Sequence, residues 1–572
     1  MKHELRSSEG TGYVSRRSFL KGTAVAGAAL AVAGVAGCAP AQTEQGGDAA
    51  GAAQQTRWSF ETPPDPIAES DIKETVEADV VIVGAGIAGT LAALAAAVEG
   101  ASVLVLQKSS EPMSHGIGFS VFDAQLQRDA GAEFDLREWT DFFAKDCYGY
   151  GNQAYIESVV YNSGRALDMM MDLIKDRGED FGTVVPYASK GGTICMWNDP
   201  DVDRGYSRVP QMIKKLTVVA QELGVEYRFK TAGEQLEKDG DRVAAVIAKG
   251  PDGYVRAKGA KGIILATGDI GNDPEMVAKY APFCQGLPNT YMPPDNTGDG
   301  HKMALWIGAS MYNGPFSQAI HYDPSPLPEG DAPFSGSPYL AVNARGERYQ
   351  NEDLDYPIIA NSNVQQPGKL RWQIMDKTLT EYWNDFGNGM CRNQGFYYTT
   401  NEEGLEGALK SGAMMKADSL EELADNMGFE GEARETLFKT IERYNELIDL
   451  GEDLDFGKNP EYLKKTPVKE PPFYSVKRTP GPLGLLDGVY CNNKMQALDE
   501  DFGVIEGLFV AGNVGHGMFG CDYTISVGGI SCGRAFSSGY VAGKAAVDKL
   551  PDYKSYYQPP TGAGMQIHPG FK

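Results

Sequence analysis

Asn351-Glu352-Asp353-Leu354-Asp355-Tyr356-Pro357-Ile358 crowds three carboxylates against a tyrosine and ends on a proline. A phenol with an ordinary pKa of about 10 is protonated at neutral pH and can donate a proton. Two readings stand open from these residues alone: a solvated acidic loop, or a segment that carries Tyr356 to a reacting carbon. A second chemical signature lies upstream, in Gly84-Ala85-Gly86-Ile87-Ala88-Gly89. G-x-G-x-x-G suits a diphosphate: the first glycine makes a tight turn, the second lets the backbone approach the anion, and the third lets helix and strand pack closely. None of the eight cysteines forms C-x-x-C, and none of the six histidines falls in an H-E-x-x-H pattern. Haem attachment, a ferredoxin-type cluster and a metal site are therefore not expected.

The glycine motif needs a strand before it and a helix after it. Residues 78–83 are a continuous apolar run, residues 90–99 a small-residue helix, and residues 102–106 a second strand that ends at Gln107. This is the strand–turn–helix context of a dinucleotide site. The residue after the second strand, usually acidic, holds ribose hydroxyls; Gln107 can hydrogen-bond there without the added strength of a charge. Two later strands favour FAD over NAD. Residues 262–265 lead into Ala266-Thr267-Gly268, and residues 507–511 lead into Gly512-Asn513. Gly528-Gly529 then opens a helix over residues 530–544, whose N-terminus suits negative charge on a bound flavin.

The 572-residue chain is long enough for two or more domains. Its formal net charge of −25 argues against a nucleic-acid partner, which needs a basic footprint. Ser15-Arg16-Arg17-Ser18-Phe19-Leu20-Lys21, followed by a weakly apolar run, reads as a twin-arginine export signal over residues 1–37. Val35-Ala36-Gly37-Cys38 resembles a lipobox, which would place a lipid anchor at Cys38 as the sole membrane attachment. Residues 38–75 read as a linker and 551–572 as a surface tail. Amphipathic helices are expected over 420–427 and 433–450. Trp372, Trp383, Phe396, Tyr397 and Tyr398 are expected in a core rather than in a pocket.

The ordered motifs resemble those of flavoproteins of the fumarate reductase/succinate dehydrogenase family and of their relatives, the 3-ketosteroid dehydrogenases and urocanate-type reductases. The resemblance rests on the glycine turn, Ala266-Thr267-Gly268, the segment from Asn272 to Pro282, Thr297-Gly298-Asp299-Gly300, Val342 to Glu352, Ala511-Gly512 and Gly528-Gly529, and spans roughly residues 76–548. It implies an α/β fold: a Rossmann-type FAD domain built from residues 76–315 and 483–550, with an α+β clamp inserted over 316–482. It further implies FAD contacts at Lys108, Ser114, Gly116, Asp269, Asp299, Ser531 and Cys532.

Departures from the family carry information. The arginine that donates a proton, four residues after N-E, is replaced by Tyr356, and the acidic stretch is expected to be the end of a clamp strand and turn that presents this tyrosine to the flavin. A substrate-gripping arginine is replaced by Ser526, and a clamp histidine maps near Gly484 and is missing. His321 is a displaced counterpart of one carboxylate-binding histidine. In the ketosteroid dehydrogenases a tyrosine also follows N-E, and a second one precedes the C-terminal glycines; Tyr523 is the candidate for that second one. Ser114-His115 matches the pair through which succinate dehydrogenases bond histidine to flavin; many soluble relatives bind FAD without that bond, and both forms stay open.

The resulting expectation is an exported FAD-dependent reductase of an activated C=C bond, acting on a small molecule bulkier and less anionic than fumarate. Electrons would come from an external donor, such as a membrane quinol system, a cytochrome or a flavin carrier. A ketosteroid-type dehydrogenase, a fumarate- or urocanate-like enoate reductase and a flavin electron relay are the alternatives. If the leader works by the twin-arginine route, replacing both Arg16 and Arg17 by lysine leaves the protein in the cytoplasm, as cell fractionation will show.

Overall fold

Val80 to Val83 are almost wholly buried, as an apolar run covered on both faces requires. The computed structural model describes residues 58–189, 192–200, 208–289, 291–321, 338–383, 385–386, 402–523 and 526–553. The twin-arginine signal, Cys38, Phe396 to Tyr398 and most of the expected tail lie outside these.

Strand β1 (Ile72–Val83) runs through the glycine turn into α1 (Ile87–Ala97) and on to β2 (Val103–Gln107). After helix α2 (Leu136–Asp146) come β3 (Glu226–Phe229), the hairpin β4 (Ala232–Asp239) and β5 (Arg242–Gly250), and β6 (Gly253–Leu265). Elements further along that bear on the site include β7 (Gln318–His321), β8 (Leu340–Val342), α3 (Tyr356–Val364), β9 (Arg371–Met375) and β10 (Met415–Ala417), then α4 (Leu420–Met427), α5 (Gly431–Leu450), β11 (Phe473–Arg478), β12 (Gly481–Leu485), β13 (Gln496–Leu498), β14 (Val504–Val510) and α6 (Ile530–Ala546).

The main sheet has eight strands, in the order β13-β14-β6-β1-β2-β3 with β4 and β5 added beside β6. Its central pairs are parallel, and their register is what matters for function. Val83 lies opposite both Leu106 and Leu265, and Leu265 lies opposite Val510. The glycine turn, Gln107, Ala266-Thr267-Gly268 and Ala511-Gly512 therefore leave the sheet at one edge, where α/β sheets bind ligands. Helix α1, nearly all small residues, packs on α6; a Cβ at Gly539 or Gly543 would drive into the carbonyl oxygen of Ala88 or Ala92.

The stretch expected as linker is partly built into this fold. Phe60 is buried and its ring meets Tyr280, while Trp306 Nε1 donates to the Phe60 carbonyl at 2.8 Å. Residues 58–75 thus belong to the ordered body, because an apolar side chain in a polar stretch found a core to enter.

A second sheet, β8-β9-β11-β10, is antiparallel. Leu340, Trp372 and Ile374 pack on Leu423, Leu437, Ile441 and Tyr444 of α4 and α5 in a cluster of their own. The chain enters this region by β7 and leaves it by β12, and these two strands pair antiparallel. Trp372 is core, as expected, and Trp383 packs on a neighbouring apolar cluster.

The acidic stretch differs from expectation. Tyr356 does not sit at the end of a strand and turn; it opens α3, with Asp355 as N-cap and Pro357 in the first turn. Proline fits there because the first turn leaves its N–H groups without intrahelical partners. The preceding residues are held by buried charge. Arg348 grips Glu352 at 2.8 and 2.9 Å and Asp453 at 2.7 and 3.0 Å. Lys458 Nζ lies 3.6 Å from Glu352 and donates to Tyr444 Oη at 2.6 Å, and burial holds its ammonium down to about 8. Removing one member leaves another buried and uncompensated. Arg348→Met, which leaves two buried carboxylates facing each other, will lower stability by about 3–5 kcal/mol, read as a lower urea midpoint. Lys458→Met, which leaves Glu352 its two-pronged partner, will cost less.

Candidate active site

At the carboxyl edge of the sheet lies a cleft of about 1660 Å³, counting space open to solvent. One end is the glycine turn. Gly84 has φ +105, and a Cβ on it would drive into the Ala266 carbonyl; a Cβ on Gly89 would meet Gly84 O. Gly84 to Ala88 line the cleft, whereas Gly89 serves packing beneath them. Buried Gln107 does something the sequence did not reveal: its Oε1 accepts from the Ala85 N–H at 2.8 Å. The amide oxygen is thus spent on the turn, which leaves Nε2 to meet a ribose oxygen.

Lys108 Nζ pairs with Asp299 Oδ2 at 2.8 Å and with Thr297 Oγ1 at 2.7 Å, next to the turn. Thr267 Oγ1 accepts from Gly300 N at 3.0 Å, so the two expected loops brace each other. Thr231, Gly233, Asp295 and Asn296 also line the cleft and were missed. Asn296 directly precedes the Thr297-Gly298-Asp299-Gly300 motif, a signal that was legible. Thr231 is placed only by a tertiary bond, its N–H to the Gln107 carbonyl at 2.9 Å.

Ala266, Thr267, Gly268, Gly512 and Asn513 form one wall. Asp269 stands behind it rather than on it: its carboxylate accepts from Gly271 N at 2.9 Å and Asn513 Nδ2 at 3.3 Å, and burial pushes it up to about 6. Buried Arg534, on α6, was not anticipated. It donates to the carbonyls of Leu486, Gly512 and Gly515 at 3.0–3.1 Å and to Asn513 Oδ1, and so fixes the loop after β14.

Ser114, His115, Gly116, Gly529, Ser531 and Cys532 line the far part. Gly528 lies behind them, its carbonyl bound by the Ser120 hydroxyl. Burial holds the His115 imidazole below its usual range, opposed by a hydrogen bond to the Leu483 backbone. Burial pushes the Cys532 thiol up to about 12, so it stays protonated. Here also are buried His321, whose ring meets Tyr291 edge-on at 5.6 Å, and buried Tyr523. Ala319, Leu483 and Gly484 complete an apolar floor where β7 and β12 pair.

Ser526 is not on this lining; its hydroxyl donates to Asp146 Oδ1 at 2.7 Å, at the end of α2. A short hydroxyl beside a carboxylate satisfies that pair instead of reaching the cleft. Among the described residues no arginine lines the cleft, and its one lysine is the ion-paired Lys108. A backbone-lined turn, an amide for the ribose and a glycine-opened helix suit an elongated dinucleotide.

A family profile described as "FAD binding domain" matches residues 79–526. The chain belongs to this family. It is a flavoprotein of the fumarate reductase/succinate dehydrogenase type, an FAD-dependent oxidoreductase acting on C=C bonds. It is 27% identical to the "Vinyl phenol reductase" of Lactiplantibacillus plantarum over 82% of this chain and 96% of that one. It is 29% identical to the "Probable fumarate reductase Ifc3" of Shewanella frigidimarina over 82% of this chain and 75% of that one. Among solved structures, the open conformation of a flavocytochrome c3 fumarate reductase superposes with a TM-score of 0.65 at 25% identity, covering 84% of this chain and 80% of the other. Residues 14–33 match a twin-arginine translocation signal sequence, which supports export. Gln107→Leu removes the acceptor for a buried N–H and the ribose partner together, which predicts weaker FAD binding by roughly 1–3 kcal/mol, or about five- to 150-fold, measured by titrating the apoprotein with FAD.

Proposed function

We propose that this flavoprotein reduces an activated C=C bond in a substrate bulkier and less anionic than fumarate. The supporting observation is the charge of the cleft. Two carboxylates need fixed cationic donors, best supplied by arginine, and the described lining offers only Lys108, already paired with Asp299. The floor of Ala319, Leu483, Gly484 and Tyr523 suits an apolar or aromatic body. Vinyl phenol, for which one relative is named, carries no carboxylate.

FAD supplies the two-electron chemistry when bound, and the chain supplies the rest. The Tyr356 phenol delivers a proton to the α-carbon, since at neutral pH it carries one. In support, the helix that Tyr356 opens, α3, packs on β7, whose Ala319 and His321 line the cleft. Tyr523 and His321 bind and polarise the activating group of the substrate. Residues 316–482 act as the clamp, joined to the FAD domain through the paired strands β7 and β12. FAD is held without a covalent bond, with His115 beside it, and electrons arrive from an external quinol, cytochrome or flavin carrier. An ordinary phenol keeps its proton at neutral pH, which favours reduction over the ketosteroid-type oxidation.

The test is anaerobic. The holoprotein is reduced with dithionite and mixed with 4-vinylphenol, a 4-en-3-one steroid, cinnamate, urocanate and fumarate while flavin absorbance is followed. A neutral alkene or enone will reoxidise it fastest, and Tyr356→Phe will slow that step by about 10²–10⁴-fold with FAD content unchanged. Fast reoxidation by fumarate, or unimpaired turnover by Tyr356→Phe, would overturn the assignment.

A further inference from the structure

Asp522 sits between the cleft and the helix that starts at Tyr356. Its Oδ1 accepts from the backbone N–H of Tyr523 at 2.8 Å, and its Oδ2 accepts from Asn361 Nδ2 at 2.8 Å. Asn361 lies five residues into α3, on the same rigid helix as Tyr356. That helix packs against β7, which ends in His321. Tyr523 itself is buried on the cleft wall, its ring edge-on to Phe519 at 5.3 Å. One carboxylate therefore connects two stretches of chain that are about 160 residues apart, each of which bears a tyrosine.

We propose that Asp522 and Asn361 are positioning residues, a latch that ties the Tyr356 helix to the Tyr523 loop so that both phenols meet the substrate as one unit. The inference rests on the reading that these tyrosines serve the reaction. Neither latch residue lines the cleft, so each acts through its neighbour rather than on substrate. Both oxygens of Asp522 are occupied, and an ionised carboxylate accepts such bonds best.

Among the described residues, the thiols of Cys521, on its own loop, and of Cys284, in the turn Pro282–Cys284, feel the charge of Asp522. Burial raises both thiols, so neither brings a charge near neutral pH. Burial also raises Asp522 above the usual carboxylate range. In the native protein the latch is intact above that raised pKa and weakens as pH falls through it, when the acceptor gains a proton.

Asn361→Asp reverses this sign. Two carboxylates at hydrogen-bond distance repel at pH 8, and one shared proton restores the contact at lower pH. Hydrogen exchange of residues 356–364 and 517–523 is measured in the holoprotein at pH 8 and pH 5.5, each against wild type at the same pH. The expected result is exchange about tenfold faster in both segments at pH 8, equivalent to one unit of pKa, and wild-type protection at pH 5.5. Asn361→Ala, which cannot share a proton, will be faster at both pH values. The rate at which 4-vinylphenol or the 4-en-3-one steroid reoxidises the reduced Asn361→Asp protein, relative to wild type, will rise about tenfold over the same interval. Wild-type exchange in residues 517–523 of Asn361→Asp and Asn361→Ala at pH 8, or a rate ratio that ignores pH, would overturn the latch. Unimpaired turnover by Tyr356→Phe fails the tyrosine reading instead, and leaves the exchange result to judge the latch by itself.

Discussion

Close approach of backbones at the carboxyl edge of the parallel sheet is the constraint on which the rest depends. A side chain at Gly84 or Gly89 would strike the carbonyl of Ala266 or of Gly84. Because β1, β2, β6 and β14 end in register, this edge gathers four loops that are far apart in sequence. The small residues of α1 and the glycines of α6 let the layer above come equally close. The cleft is the space that this packing leaves.

A different force holds the second sheet. One face of it packs on α4 and α5 as an ordinary apolar core. The approach to α3 is instead set by the buried group of Arg348, Glu352, Asp453 and Lys458. Burying four charges costs much of what their attraction returns. What the arrangement secures is direction: each group has one geometry in which its neighbours are satisfied, and that geometry places the first turn of α3. The asparagine–glutamate motif is therefore a structural anchor, and the tyrosine proposed as proton donor stands four residues beyond the glutamate.

The cleft shows how chemistry can change while a fold persists. An FAD turn built from backbone tolerates Gln107 because the amide still caps the Ala85 N–H. At the proposed substrate end, Ser526 is turned to Asp146 and Gly484 lies on the floor, and among the described lining residues there is no arginine. A cleft without fixed positive charge would leave no buried cation unpaired when a neutral substrate binds, which is the basis of the substrate class proposed above.

Local chemistry made much of this legible. The glycine spacing, the strand runs and the A-T-G and A-G ends located the dinucleotide site, since turn geometry and apolar periodicity are properties of neighbouring residues. Helices over 420–427 and near 433–450 followed from their spacing for the same reason. The start of α3 was misjudged because Pro357 ends strands and opens helices alike, and only the surrounding charges select between them. Arg534 and the Asn361–Asp522 bond were invisible, because each joins segments that share no local pattern. Sequence alone determined the family, the cofactor turn and the export signal. Tertiary structure decided where Tyr356 begins its helix, that the Gln107 amide oxygen is spent on the Ala85 N–H so that Nε2 is left over, and that Ser526 faces Asp146, because long-range contacts set side-chain direction and no local run of residues encodes them.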